Sequence, residues 1–316
     1  RTLESLHSLL VLSAEQLSVD SLLLSSIQFD HRLVDDSSHF SLSALIDSLV
    51  SVDLEGTSQF HPNRIHLNIP RLTVRTSDQK FDNEAPLQLV YGKDGFSFPE
   101  FSLRHEAEAI TLAGWFDPSG TSDIRFSLEN SLLTNLKSFS RHPGFIERVK
   151  DFGGIVALNG SFAGSTKTPR FSFDLSAQGT RVGDVVFGQI LARCSYAEGL
   201  SNVFVEFRNR PGEAGVPPDL LVSGIMPLNI GSVAASSSQG MDLSISSRGF
   251  PLEFLDPFIP ILSNLTGTLI CDVKMRGTLL SPSYEGSLSF QNAGFFFAPL
   301  GISYGLNGRL VPQGRN

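Results

Sequence analysis

The stretch Gly267–Phe290 reads GTLICDVKMRGTLLSPSYEGSLSF. Its first half alternates: Leu269, Cys271, Val273 and Met275 fall on one parity, with Asp272 and Lys274 between them. Successive side chains of a strand point to opposite faces, so this is a strand with one apolar and one polar side. From Met275 to Phe290 the pattern predicts two strands with a break between them that contains Gly277, Pro282 and Gly286.

The same period of two recurs throughout. It appears at Ile65, Leu67, Ile69; Leu87, Leu89, Tyr91; Ile124, Phe126, Leu128; Phe171, Phe173, Leu175; and Val203, Val205, Phe207. Arg64, His66, Asn68 and Glu206 occupy intervening positions. Strands therefore dominate, and the expected fold class is mainly β. Three stretches break the rhythm. Leu42, Leu45, Ile46 and Leu49 follow helical spacing and predict a short amphipathic helix over 41–50. Leu132, Leu133, Leu136 and Phe139 predict a second, resuming with Phe145, Ile146 and Val149 to span 131–149. Leu252 to Leu262, interrupted by Pro257 and Pro260, predicts a broken turn of helix.

Each helical stretch precedes a Gly-led strand, and that order reveals an internal repeat. Gly154–Gly164 aligns with Gly267–Gly277; Pro169 then falls on Pro282, Leu175 on Leu288 and Gly188 on Gly301 without a gap. A fainter third copy runs from Gly56 to Pro70, one residue short. The expected organisation is one repetitive fragment over 1–316, with units near 41–130, 131–250 and 251–316.

The 316 residues are enough to bury a sizeable core. Charged residues make up only 18%, and the formal net charge of −8 disfavours nucleic acid or an anionic membrane surface as partner. Aromatic usage is lopsided, 25 Phe against 4 Tyr and 1 Trp, so the aromatic surface lacks polar handles. Cys194 and Cys271 are too few for a disulfide framework or a zinc site; spacing leaves a single bridge between them open, and both read as small apolar groups on an inner face. The chain starts at Arg1 and has no run of 18 apolar residues, which suggests a fragment whose membrane anchor lies outside it.

A strand ending in Gly, a short loop ending in Pro and a small-residue strand with glycine punctuation resembles the C-terminal region of the TamB (translocation and assembly module) family and its AsmA-like relatives. The matching residues are Gly277-Thr278, Pro282, Gly286 and Leu288 in one copy and Gly164, Pro169 and Leu175 in the other. Glu84–Leu87, Phe96–Leu103 and Ile110–Gly114 continue the likeness, which covers most of the chain from about residue 15. The family's terminal barrel-contacting segment is not identifiable here. The resemblance implies an elongated antiparallel sheet curled into an apolar groove, the β-taco, with a few short helices. It implies a periplasmic module of a Gram-negative bacterium, anchored in the inner membrane. Its implied partners are phospholipid acyl chains and an outer-membrane barrel of the Omp85 type, with no cofactor and no nucleic acid. Implied too are phospholipid transfer between the membranes and outer-membrane biogenesis.

The physics suits that reading. An exposed methylene costs about 0.8 kcal/mol, so an acyl chain of about sixteen carbons crossing water faces on the order of 13 kcal/mol. An apolar groove removes that barrier. Its expected lining is Val156, Leu158, Phe162, Phe171, Phe173, Leu175, Ile190, Tyr196, Val203, Val205, Phe207, Leu243, Ile245, Leu269, Val273, Met275, Leu288 and Phe290. Periodicity alone fits a closed sandwich or barrel core equally well, because both demand one apolar face per strand. The stretches 41–50 and 131–149 either pack on the sheet or lie across the groove.

Sequence signals of catalysis are weak. Gly160–Thr168 carries Gly, Lys and Thr but lacks phosphate-loop spacing. His61 and His66 are five apart, while His31, His39, His105 and His142 lack carboxylate or Cys at ligand spacing. No Gly-x-Ser-x-Gly elbow occurs, and Asp35-Asp36 reads as a solvated turn. The expectation is no catalytic, cofactor or metal residue, and no enzyme. Two rivals stand beside the groove: a module that holds outer-membrane proteins by strand pairing, and a structural β-solenoid or adhesin-like protein.

Overall fold

The computed structural model describes residues 7–19, 22–34, 37–47, 49–117, 120–135, 152–165, 167–182, 185–209, 216–228, 239–259 and 261–311. Among them the chain is mainly β: nineteen strands assigned to one antiparallel sheet. Contacts divide the chain into two units, built chiefly on Arg1–Ser131 and Lys167–Asn316.

The first unit holds β1 (His7–Val19), β2 (Leu22–Val34), β3 (Ser37–Ile46), β4 (Val50–His61), β5 (Arg64–Arg75), β6 (Lys80–Asn83), β7 (Leu87–Gly92), β8 (Gly95–His105), β9 (Glu108–Phe116) and β10 (Ser122–Leu132). Each pairs with the next up to β5, which pairs with both β6 and β7; β8 takes both of those and passes on to β9, then β10. Register aligns Phe29, Leu42, Leu54 and Leu72 across four strands. The core beneath is Ile69, Leu72, Phe81, Leu87 and Leu103, packed by Phe40, Leu54, Phe98 and Phe101.

After β11 (Phe152–Gly164) the second unit runs through β12 (Pro169–Val182), β13 (Val185–Ala197), β14 (Leu200–Arg208), β15 (Leu220–Pro227), β16 (Gly240–Pro251), a 3-10 turn (Leu252–Phe258), β17 (Leu262–Thr278), β18 (Pro282–Phe297) and β19 (Ile302–Leu310). From β12 to β19 every strand pairs antiparallel with its successor. Tight turns make that order cheap. Between β13 and β14 only Glu198 and Gly199 intervene, both at positive φ, the conformation a two-residue hairpin turn requires.

The helical spacing at 41–50 does not produce a helix. Ser37–Ile46 is β3, bonded on both sides to β2 and β4. Phe40, Leu42, Ala44 and Ile46 also alternate, and two strand partners outweigh a propensity that a ten-residue helix could not sustain alone. Ser131 and Leu132 end β10 instead of opening the second helix, and residues 133–135 make a single 3-10 turn; residues 136–149 and the Asp35-Asp36 turn lie outside the described residues. The broken turn before Leu262 is present as the 3-10 turn Leu252–Phe258. The break is shorter than expected: Gly277 pairs with Pro282, Gly286 lies within β18 opposite Val273, and only Thr278–Ser281 turn between the strands.

Candidate functional site

Register decides which side chains of the second unit share a face. Phe173 stands opposite Cys194, Cys194 opposite Val203, Val203 opposite Gly224, Gly224 opposite Leu243, Leu243 opposite Met275 and Met275 opposite Tyr284. The next row runs Leu175, Ala192, Val205, Val222, Ile245, Val273 and Gly286. Beyond it come Ala177, Ile190, Phe207, Leu220, Ser247, Cys271 and Leu288, and at the other margin Phe171 faces Tyr196. Phe250, Leu269 and Phe290 form the last row. No charged residue occurs in these rows.

The alternate positions make the opposite face. There Asp174 meets Arg193 at 3.1 Å, Arg193 lies over the Phe204 ring at 5.7 Å, and Arg276 reaches Asp242 at 3.5 Å and Glu285 at 3.7 Å. Glu206 pairs with Arg208 on the same side. All these ion pairs lie on one side of the sheet, so the two faces differ in kind.

Of the residues expected to line a groove, all those from Phe171 to Phe290 lie on the apolar face. Val156, Leu158 and Phe162 share one parity on β11; Val156 is buried and the other two are half-buried. Tyr196, Phe207 and Val273 are buried. Phe171, Phe173, Leu175, Ile190, Val203, Val205, Leu243, Ile245, Leu269, Met275, Leu288 and Phe290 keep intermediate exposure. A sealed core would bury such side chains; here they stay partly open to solvent.

Comparison with protein-family models, curated proteins and solved structures yields no match. The face therefore stands on its own geometry.

Several members were not legible in the sequence. Phe187 and Phe250 have the wrong parity for the apolar side, yet they are 0% and 1% exposed. Register shifts bring them in. One lies between Gln178 and Arg181, opposite Gly188, and the other between Arg248 and Phe250 at Gly249, with both glycines at positive φ. A bulge adds one residue and re-aims the side chains beyond it. Ser247 organises the second bulge: its hydroxyl donates to the Leu269 carbonyl at 2.7 Å and accepts from the Phe250 amide at 3.0 Å. Leu220, Val222 and Met226 also belong to the face but sit in a strand too short and Gly-broken to show its period.

Other chemistry is spread thin. His61 and His66 meet edge to face, ring centroids 4.9 Å apart. Among the described residues no group of three His, Cys, Asp or Glu is placed to hold a metal ion. Cys194 and Cys271 are free thiols, and burial pushes both up from the ordinary thiol range. In the first unit a cavity of about 440 Å³ lined by Gln28, Asp30, Ser43, Asp53, Glu55, Arg71 and Arg75 lies largely on the polar face. Its charges are already engaged: Arg71 meets Glu55 at 3.3 Å, Arg75 bonds Asp53, and Asp30 accepts from the Gln28 side-chain amide at 3.2 Å.

Proposed function

We propose that the apolar face of β12–β18 holds phospholipid acyl chains, and that the protein is a TamB-like, non-enzymatic lipid-transfer module of the periplasm between inner and outer membrane. One observation carries this reading: seven adjacent strands keep a common, uncharged face that stays partly exposed. An acyl chain gains about 0.8 kcal/mol for each methylene it buries there, and it needs no polar partner. The polar reverse face, laced with ion pairs, suits contact with water. The outer-membrane barrel partner belongs to the same proposal.

A second reading, strand addition by a client protein, is favoured by β19, whose residues Ile302–Leu310 are all exposed. Native mass spectrometry of the purified protein separates the two. Under the lipid reading phospholipid co-purifies and is lost in the Phe173→Glu, Val205→Glu double variant, while Tyr304→Pro keeps it. Lipid-free wild-type protein would overturn the reading, and a client interaction abolished by Tyr304→Pro would favour the second.

A further inference from the structure

The apolar face is not uniform from one margin to the other. At the margin near Tyr196 and Gly277 it carries all three methionines, Met226, Met241 and Met275. Unbranched thioether side chains adapt to whatever packs on them. Ser201 of β14 pairs with Met226, and six residues further along that strand, about 20 Å at roughly 3.3 Å per residue, the character changes at Phe207. There Phe187, Phe207 and Phe250 are almost wholly buried.

Phe254 from the 3-10 turn packs on them, together with Leu255, Ile190, Leu220 and Leu269. Its ring lies 5.2 Å from Phe187, 5.6 Å from Phe207 and 5.6 Å from Phe250, centroid to centroid. These tilted, edge-to-face contacts form an aromatic block across the end of the rows. The turn is short and has no side-chain cap of its own. Two carboxylates tie it to β17 instead: Asp256 accepts from the Leu265 amide at 2.9 Å and Glu253 from the Gly267 amide at 3.0 Å. Those amides are available because the β17–β18 register shifts between Ser263 and Thr268. The block is thus fastened where the ladder is broken.

We propose that Phe254 is the stop that sets how far an acyl chain extends along this face, making the site selective for chain length. The inference rests on the lipid reading and sharpens it. A chain entering at the methionine margin buries successive methylenes until it meets the aromatic rings; further carbons stay in water and add nothing. Phe254→Ala opens the space above Phe187 and Phe207, whereas Phe254→Trp reduces it.

The test is binding of straight-chain fatty acids from decanoate to stearate to the intact chain, measured by displacement of a fluorescent fatty acid. Wild-type affinity should rise about fourfold per added methylene and then level off. The plateau should move to longer chains in Phe254→Ala and to shorter ones in Phe254→Trp. Both variants levelling off at the wild-type length would overturn the stop while leaving the lipid reading intact. Absence of binding at every length in wild type would overturn the lipid reading itself.

Discussion

At the scale of the residue, the sheet depends on a few positions where only one side chain fits. Gly286 sits at φ 127° opposite Val273, and a methyl group there would run into the Asp272 carbonyl oxygen. Gly286→Ala should destabilise the protein by about 1–3 kcal/mol in urea unfolding, while Gly305→Ala, with open space around it, should be close to neutral. Phe207, 2% exposed among three other rings, should cost about 3–5 kcal/mol when cut to Ala. Burial, helped by the neighbouring Asp272 charge, raises the Cys271 thiol and disfavours its reactive thiolate. In maleimide labelling read by mass spectrometry, Cys271 should therefore react more slowly than the less buried Cys194.

At the scale of the element, β3 to β5 show why local spacing misled. Leu42, Leu45, Ile46 and Leu49 match a helix, but Ser43 and Asp53 face each other on neighbouring strands, and Arg75 closes the polar ladder from β5. The Ser43 hydroxyl, with Arg75 next, holds the Asp53 carboxyl below its ordinary range. A depressed carboxylate adds stability that is fully present above the ordinary carboxylate range and lost as pH falls through the lowered value. Much of the side chain is solvated, so the contribution is small, below about 1 kcal/mol. Asp53→Asn should accordingly flatten the acid limb of unfolding slightly, read from the fluorescence of Trp115, the single tryptophan. The hairpin at Thr278–Ser281 teaches the converse. The sequence puts Gly277 and Pro282 inside a break, yet they close the ladder as a pair, because the last pair of a hairpin tolerates a missing amide.

At the scale of the whole molecule, the chemistry divides between the two sides of the sheet rather than concentrating in a pocket. Acyl-chain binding on an uncharged face should be nearly indifferent to salt, because screening acts on charges and none lies in those rows. Titration at low and high ionic strength checks this, and a strong salt dependence would move the site to the polar side. Phe204→Ser, on that polar side under Arg193, should leave lipid binding unchanged. Much of this was legible in the chain: alternation at Phe171–Leu175, Val203–Phe207 and Leu269–Met275 determined that these segments are strands and which of their side chains are apolar. What alternation could not determine is adjacency. Strand neighbours are chosen by turns and packing over the whole sheet, so only the tertiary structure aligned Phe173 with Cys194, Val203 and Leu243. It also decided the fate of Phe187 and Phe250. A strand's parity flips when one residue bulges out, and that single insertion moves a phenylalanine from the polar side to the apolar one without altering the local pattern.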